Sequence, residues 1–295
     1  MSVPYLSYSG FHKNEECPKS YWHGYINKTQ ISAPDNRIGA LYGSIVGGVF
    51  ENFYTQRVWR SPKPADTLLG MVDEVTNKVV RDSLKKGVLN WKDPKYKKNG
   101  PHSMDEVLDL VKKSIPNGLD IIRRHKLVGT DAKAELKLDT VINGSKIGGR
   151  SDFVMTRISP HDDLIIVDGK GSMHRDKYVD NRQLLWYAML YRKNFNGRIP
   201  DKLGFLYWRE EPDTSIDWVV PSKEDLDELQ DSVKSSIETI QIRTKGGANE
   251  FPARARHFNC KFCPYLTVCP EGQEMLSPKP PAHGVFTDEE DVTLD

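Results

Sequence analysis

The chain has no run approaching the ~18–20 consecutive apolar residues that a membrane-spanning helix needs, and its opening, MSVPYLSYSGFHKNEE, lacks the charged-then-apolar pattern of a secretory signal. These absences argue against a membrane partner and predict an intracellular, cytoplasmic protein. Charge of one sign is missing too: 42 Lys and Arg face 41 Asp and Glu, for a formal net charge of +1. Any contact with a polyanion must therefore come from local patches, because the molecule as a whole offers no strong attractive field. Cysteine is scarce, four in 295 residues, which excludes a disulfide-stapled secreted scaffold. Internal repeats are absent. What remains, 38% hydrophobic and 28% charged residues, suits a globular protein long enough to bury a sizeable core.

The first 130 residues read as a mainly helical region. Residues 38–59 carry Leu41, Ile45, Val49 and Phe50 at helical spacing, and residues 64–90 and 102–126 repeat the pattern, punctuated by Gly87 and by Pro94 to Pro101. From within the helix over 64–90 into the segment after it runs a basic stretch, Lys78, Lys85, Lys86, Lys92, Lys95, Lys97 and Lys98, interleaved with Trp91 and Tyr96. It reads either as a solvated helix end and loop or as a phosphate-tracking surface with aromatic platforms.

The pattern changes at residue 131. Residues 134–142 alternate, Asn143-Gly144 is the pair that a type I′ hairpin turn prefers, and residues 147–156 supply the returning strand. Leu164-Ile165-Ile166-Val167-Asp168 is apolar enough to be central in a sheet. A helix over 176–191, strands over 203–208 and 216–220, and an amphipathic helix over 223–243 complete a core spanning 131–245. Residues 246–277 hold three of the cysteines, and the proline-rich then acidic tail, 278–295, has the composition of a disordered segment.

Within the core, Asp152 lies mid-strand and Asp168 opens Asp168-Gly169-Lys170 at the end of the apolar strand. On adjacent strands of a twisted sheet, two such carboxylates can converge on one Mg²⁺ or Mn²⁺, hard cations that keep several waters and accept phosphate oxygens. The period-2 spacing puts Lys170 on the same face as Asp168, where an ammonium can orient a water and stabilise charge developing on a phosphate. Gln183 and Tyr187, four apart, share one face of the following helix.

This ordered set, Gly149-Arg150-Ser151-Asp152, then Asp168-Gly169-Lys170, then Gln183 to Tyr187, resembles the PD-(D/E)XK nuclease superfamily, and its Gln-x-x-x-Tyr element resembles the RecB-like branch. The resemblance implies an α/β, restriction-endonuclease-like core, a central mixed sheet flanked by helices, with the helical N-terminal region and the C-terminal cysteine cluster attached. It also implies that the Gly169 carbonyl is a further metal ligand, that Gln183 packs beside the catalytic Lys170, and that Tyr187 supports the site or the DNA.

The cysteines are Cys17, Cys260, Cys263 and Cys269. A tight Cys group in a reducing compartment more often holds metal than forms a disulfide, and the spacing alone favours tetrahedral Zn²⁺. One early cysteine followed by three late ones resembles instead the iron–sulfur nucleases of the RecB-like group, which include the AddB nuclease domain and CRISPR-associated RecB-like exonucleases. In them four thiolates bind a structural [4Fe–4S] cluster that staples the two ends of the nuclease together. His12 and His257 flank the cysteine regions and read as surface residues or as substitute ligands.

One position departs from the family pattern. Many relatives carry a histidine in an early Gly-x-x-x-His helix; here Gly43 is followed by Gly47 in the histidine's place, with Glu51 one turn on as a substitute carboxylate ligand or a surface residue. The combined reading is a metal-dependent DNA nuclease, an exonuclease acting on single-stranded ends, with recombination or CRISPR-adaptation proteins as partners. The missing histidine keeps open an alternative, a catalytically weak DNA-binding module of such a complex.

Overall fold

A computed structural model describes residues 5–31, 36–86, 89–90, 101, 103–129, 131–157, 163–171, 175 and 180–277. Its elements, in chain order, are α1 (Tyr8–Glu16), α2 (Pro18–Tyr21), β1 (Asn36–Arg37), α3 (Ile38–Thr55), α4 (Pro64–Lys86), β2 (Leu89–Asn90), α5 (Met104–Arg124), β3 (Lys133–Ile142), β4 (Ser145–Thr156), β5 (Leu164–Lys170), α6 (Arg182–Asn194), β6 (Lys202–Tyr207), β7 (Ile216–Val219), α7 (Lys223–Gly246), α8 (His257–Lys261) and α9 (Pro270–Leu276). Trp91, Lys92, Lys95, Tyr96, Lys97 and Lys98 of the basic stretch, and the tail from 278, lie outside the described residues.

Strands β3 to β7 form one sheet in sequence order, antiparallel throughout except for the parallel pair β5–β6, which α6 connects. The turn that sets its register is Asn143-Gly144, with φ of 47° and 71°, the left-handed pair that matches the twist of the flanking strands. Strand β5 is buried on both sides. Ile165 and Val167 join Phe153, Met155, Leu206 and Trp208 under α3, α4 and α5, whereas Leu164 and Ile166 join Val154, Phe205 and Tyr207 under α6, α7 and α1. An apolar run without alternation is what a strand covered on both faces requires.

Helix ends follow local chemistry. Ser103 caps α5 by accepting from the Glu106 N–H, and Ser222 with Asp225 makes a reciprocal capping box at α7. The helix expected over 38–59 stops at Thr55, because Arg57 turns left-handed (φ 53°) and Val58–Arg60 continues as a 3₁₀ turn. That expected over 64–90 ends at Lys86, and Leu89–Asn90 instead pairs in parallel with Asn36–Arg37. Helix α6 is described from Arg182, later than the expected 176; residues 176–179 lie outside the described set.

The N-terminal segment completes the sheet where its strands part. Pairing of β4 with β5 runs from Thr156↔Leu164 to Phe153↔Val167 and no further. Beyond that point β4 continues beside Leu6, whose N–H donates to the Lys146 carbonyl and whose carbonyl accepts from the Gly148 N–H, both at 3.0 Å. The next opposed pair would be Asp152 and Asp168, so both carboxylates sit at the fork.

Candidate active site

At the fork the ladder is replaced by side-chain contacts. The Gly169 N–H donates to Asp152 Oδ2 at 2.8 Å, and Lys170 Nζ is paired with Asp168 Oδ2. Lys170 Nζ also donates to Gln183 Oε1 at 2.9 Å and lies 4.8 Å from the centre of the Phe205 ring. Gln183 Nε2 in turn reaches Asp168 Oδ1 (3.3 Å) and the Tyr187 hydroxyl (3.1 Å). The amide orientation is forced: an ammonium can only donate and an ionised carboxylate can only accept, so the glutamine must present its oxygen to Lys170 and its nitrogen to Asp168. The sequence-predicted Asp168, Lys170, Gln183 and Tyr187 thus form one partly buried network, with Asp152 joined to it through the Gly169 backbone.

Burial, the facing Asp168 carboxylate and Glu135 push the Asp152 carboxyl above the ordinary carboxylate range, against the opposing pull of the Gly169 N–H and Lys170. Burial and Asp168 also raise the Tyr187 phenol, so this hydroxyl stays protonated and acts as a hydrogen-bonding group.

Glu135 was not anticipated. Its neighbours pair as Ala134↔Phe153 and Leu136↔Ser151, which puts Glu135 opposite Asp152. Strands β3, β4 and β5 therefore contribute Glu135, Asp152 and Asp168 to one transverse row. Glu135 has φ 52°, a costly conformation for a non-glycine residue inside a strand, and accepts from Arg150 Nη1 at 3.3 Å. A signal for it existed in the sequence, since a two-residue turn at Asn143-Gly144 makes Glu135 and Asp152 equidistant from the bend.

A cavity of about 560 Å³ opens onto this row between α3, α4 and the sheet. Gly43, Gly47, Gly48 and Glu51 of α3 line it, with Glu135, Asp152, Gly169 and Trp208. Glu51 therefore does face the row, and its charge is close enough to raise the Glu135 carboxyl, after burial. Asp168 and Lys170 are not among the residues lining this cavity; they sit toward α6 with the ion pair between them. Gly169 has to be glycine, because a Cβ there would come within 2.8 Å of Trp208 Nε1, whose ring stacks on Phe50 at 4.1 Å. At Gly47, by contrast, a Cβ would meet nothing within 4 Å. Among the described residues no group of three or more His, Cys, Asp or Glu is arranged to hold a metal ion.

The four cysteines, all free, line a second cavity of about 210 Å³ together with Ser20, His23 and Tyr265. Cys17 lies in the extended link between α1 and α2, Cys260 on α8, and Cys269 at the start of α9. Ser20 Oγ is 3.9 Å from Cys263 Sγ, and a Cβ on Gly272 would lie 3.5 and 3.7 Å from the sulfurs of Cys269 and Cys260. Protein contacts tie the same two chain ends: Lys19 with Glu271 at 2.5 Å, the Lys19 N–H to the Pro252 carbonyl at 3.2 Å, and His23 stacked on Tyr265 at 5.3 Å.

The fold is thus a mixed sheet flanked by helices, its central strands parting around two carboxylates and a lysine. The family model of the PD-(D/E)XK nuclease superfamily matches residues 5–270, and the chain belongs to that superfamily. Among solved structures it is similar to a crystal structure from Eubacterium rectale provisionally described as an exonuclease, with 14% identity, 95% of this chain and 91% of that chain covered, and a TM-score of 0.50. At that identity the likeness shows the fold alone. A second structure, of SSO0001, is 15% identical over 89% of this chain and 94% of that one, but its TM-score of 0.30 carries no argument. No curated protein matches the chain. Among the described residues no helix is long and apolar enough to cross a membrane.

Proposed function

We propose that the chain is a Mg²⁺- or Mn²⁺-dependent deoxyribonuclease that hydrolyses phosphodiester bonds from single-stranded DNA ends, with Asp152, Asp168, Lys170, Gln183 and Tyr187 as its working residues. The observation that carries this reading is the fork: two acids and an amine, on strands that part at their position, held by a glutamine whose orientation is forced. Asp152, Asp168 and the Gly169 carbonyl would hold a divalent ion, with Glu51 reaching the same row from α3; oxygen donors alone suit a hard cation. Such an ion supplies Lewis-acid stabilisation of the phosphate and a more acidic water. Lys170, held by Gln183, would orient a water beside the scissile phosphorus and stabilise the charge developing on the phosphate.

The four thiols fit a [4Fe–4S] cluster in the chemistry of their donor set, soft and unpaired, and zinc is the alternative occupant. The role of the group would be to hold α1–α2 against α8–α9, with no part in cleavage. A brown protein absorbing in the visible, with iron and no zinc after anaerobic purification, supports the cluster; zinc without iron refutes it.

The decisive experiment is cleavage of labelled DNA in Mn²⁺ by purified protein: equal cutting by wild type and Lys170→Ala removes the mechanism. A second reading, a DNA-gripping module of a recombination or CRISPR-adaptation complex, is favoured by one observation, a glycine at position 47 of the helix that lines the cavity. It predicts salt-sensitive DNA binding without cutting in Mg²⁺ or Mn²⁺.

A further inference from the structure

The geometry points to a second nucleic-acid contact outside the fork: Arg254, Arg256, His257, Phe258 and Lys261, at the mouth of the cysteine cavity, form a platform that stacks a base of unpaired DNA and tracks its backbone. This inference rests on the proposed deoxyribonuclease activity and names the surface that would select single strands.

Phe258 is 73% exposed, more than any other large hydrophobic side chain among the described residues. It is also held upright: its ring packs against Phe262 with centroids 5.1 Å apart and planes at 59°. A ring braced on one side and open on the other has little conformational freedom to lose on stacking. Arg254, Arg256, His257 and Lys261 around it are exposed. Among the described residues Arg256 and Lys261 enter no ion pair, and Arg254 donates to the backbone carbonyl of Glu15, which leaves its charge uncancelled.

The combination selects one occupant. Like charges oppose a second copy of the same face, and a duplex keeps its base faces stacked inside. A single strand offers both phosphates and free π-faces, which is the pairing that sequence-tolerant strand binders use. The platform also leads to the fork: Glu15, which receives Arg254, pairs through its carboxylate with Arg182 Nη1 at 2.8 Å. Arg182 opens α6 and immediately precedes Gln183, the residue that holds Lys170. Arg254 is thus joined through Glu15 to the first residue of α6, next to the glutamine that holds Lys170.

The test uses full-length Lys170→Ala protein, which leaves the strand intact on the proposed mechanism. Binding of a fluorescent oligothymidylate of about 15 nucleotides is measured by anisotropy beside a duplex of equal length. Phe258→Ala should weaken single-strand binding roughly 5- to 150-fold, the range for removal of one base stack, and leave duplex binding unchanged; Phe258→Trp should restore it. Arg256→Ala with Lys261→Ala should flatten the slope of log affinity against log salt by about 0.7 for each phosphate no longer neutralised. Equal single-strand binding by Phe258→Ala, or an equal loss on duplex, overturns the proposal. So does a loss that tracks dissociation of an oligomer by sedimentation, which would identify the ring as a contact between copies. The two readings fail separately: cutting by wild type with no effect of Phe258→Ala sinks this surface alone, and platform-dependent binding with no cutting sinks the nuclease reading alone.

Discussion

Replacing Asp152 by asparagine should make the metal-free protein more stable and the enzyme inactive. The carboxyl is partly buried, faces Asp168 and lies opposite Glu135, and desolvation with these neighbours raises it out of the ordinary carboxylate range. Asparagine keeps an oxygen for the Gly169 N–H, 2.8 Å away, at nearly the same volume, and removes only the charge. Relief of such a functionally imposed conflict is worth about 0.5–2 kcal/mol, and each kcal/mol moves Tm by about 2–4 °C in a chain of this size class. Thermal unfolding in EDTA should therefore show a higher Tm for Asp152→Asn than for wild type. Saturating Mn²⁺ should reverse the order, because wild type gains about 2.7 kcal/mol at 100 times Kd, and the variant, short of a ligand, gains little. Cutting should fall by more than about 100-fold, equivalent to ~2.7 kcal/mol of transition-state stabilisation. A variant that melts earlier than wild type in EDTA, or that keeps both the Mn²⁺ increment and the cutting, would refute the assignment of Asp152 as a charged ligand held against its own burial.

Lys170→Met should act in the opposite sense on stability: it leaves Asp168, 5% exposed at its side chain, without its counter-charge, at a cost of about 3–5 kcal/mol in EDTA, and Mn²⁺ should recover part of the lost Tm while cutting stays abolished. The pH dependence follows from the raised Asp152 carboxyl. Because the folded protein holds that proton more tightly than the unfolded chain, the group's contribution is fully present below the ordinary carboxylate pKa and is lost as pH rises through the folded value; in EDTA, Tm should drift down over this window, and Mn²⁺ affinity, titrated by isothermal calorimetry, should rise over it as the ligand ionises. Gly47→His places its Cβ where nothing lies within 4 Å, should gain a few tenths of a kcal/mol in helix propensity, and should tighten Mn²⁺; unchanged Mn²⁺ affinity would show that this position does not face the ion.

Much of the site was legible because it depends on short-range periodicity. The spacing of two put Lys170 beside Asp168, the spacing of four put Gln183 beside Tyr187, and Asn143-Gly144 fixed the hairpin. Non-local geometry was less accessible. Nothing in the local pattern of β4 says that its pairing with β5 ends at Phe153↔Val167, since that depends on Leu6, far upstream, taking the vacated edge. Glu51 could be placed on a helix but not facing the acids until α3 was packed over them. The ends of α3 and α4 were misplaced for a similar reason: apolar periodicity runs past the residue at which backbone conformation changes, as it does before the left-handed Arg57.

The departure at Gly47 and the strain at Glu135 bear on one question, the kind of ion the row would accept. Glu135 keeps φ 52° although regular pairing resumes on both sides of it, so the surrounding ladder imposes the conformation, and strain of this kind persists where the arrangement is over-determined. On the proposed reading Glu135 adds a third strand-borne carboxylate to a shell from which the imidazole has been lost, with Glu51 closing it from the helix side. The side-chain donors that the described residues bring to the row are then all oxygen. Such a shell gains affinity for Mg²⁺ and Mn²⁺ from charge and forfeits the nitrogen that would favour Zn²⁺ or Ni²⁺. Softer ions should therefore compete poorly at the fork even if they bind the cysteines, and the two cavities would sort metals by ligand hardness.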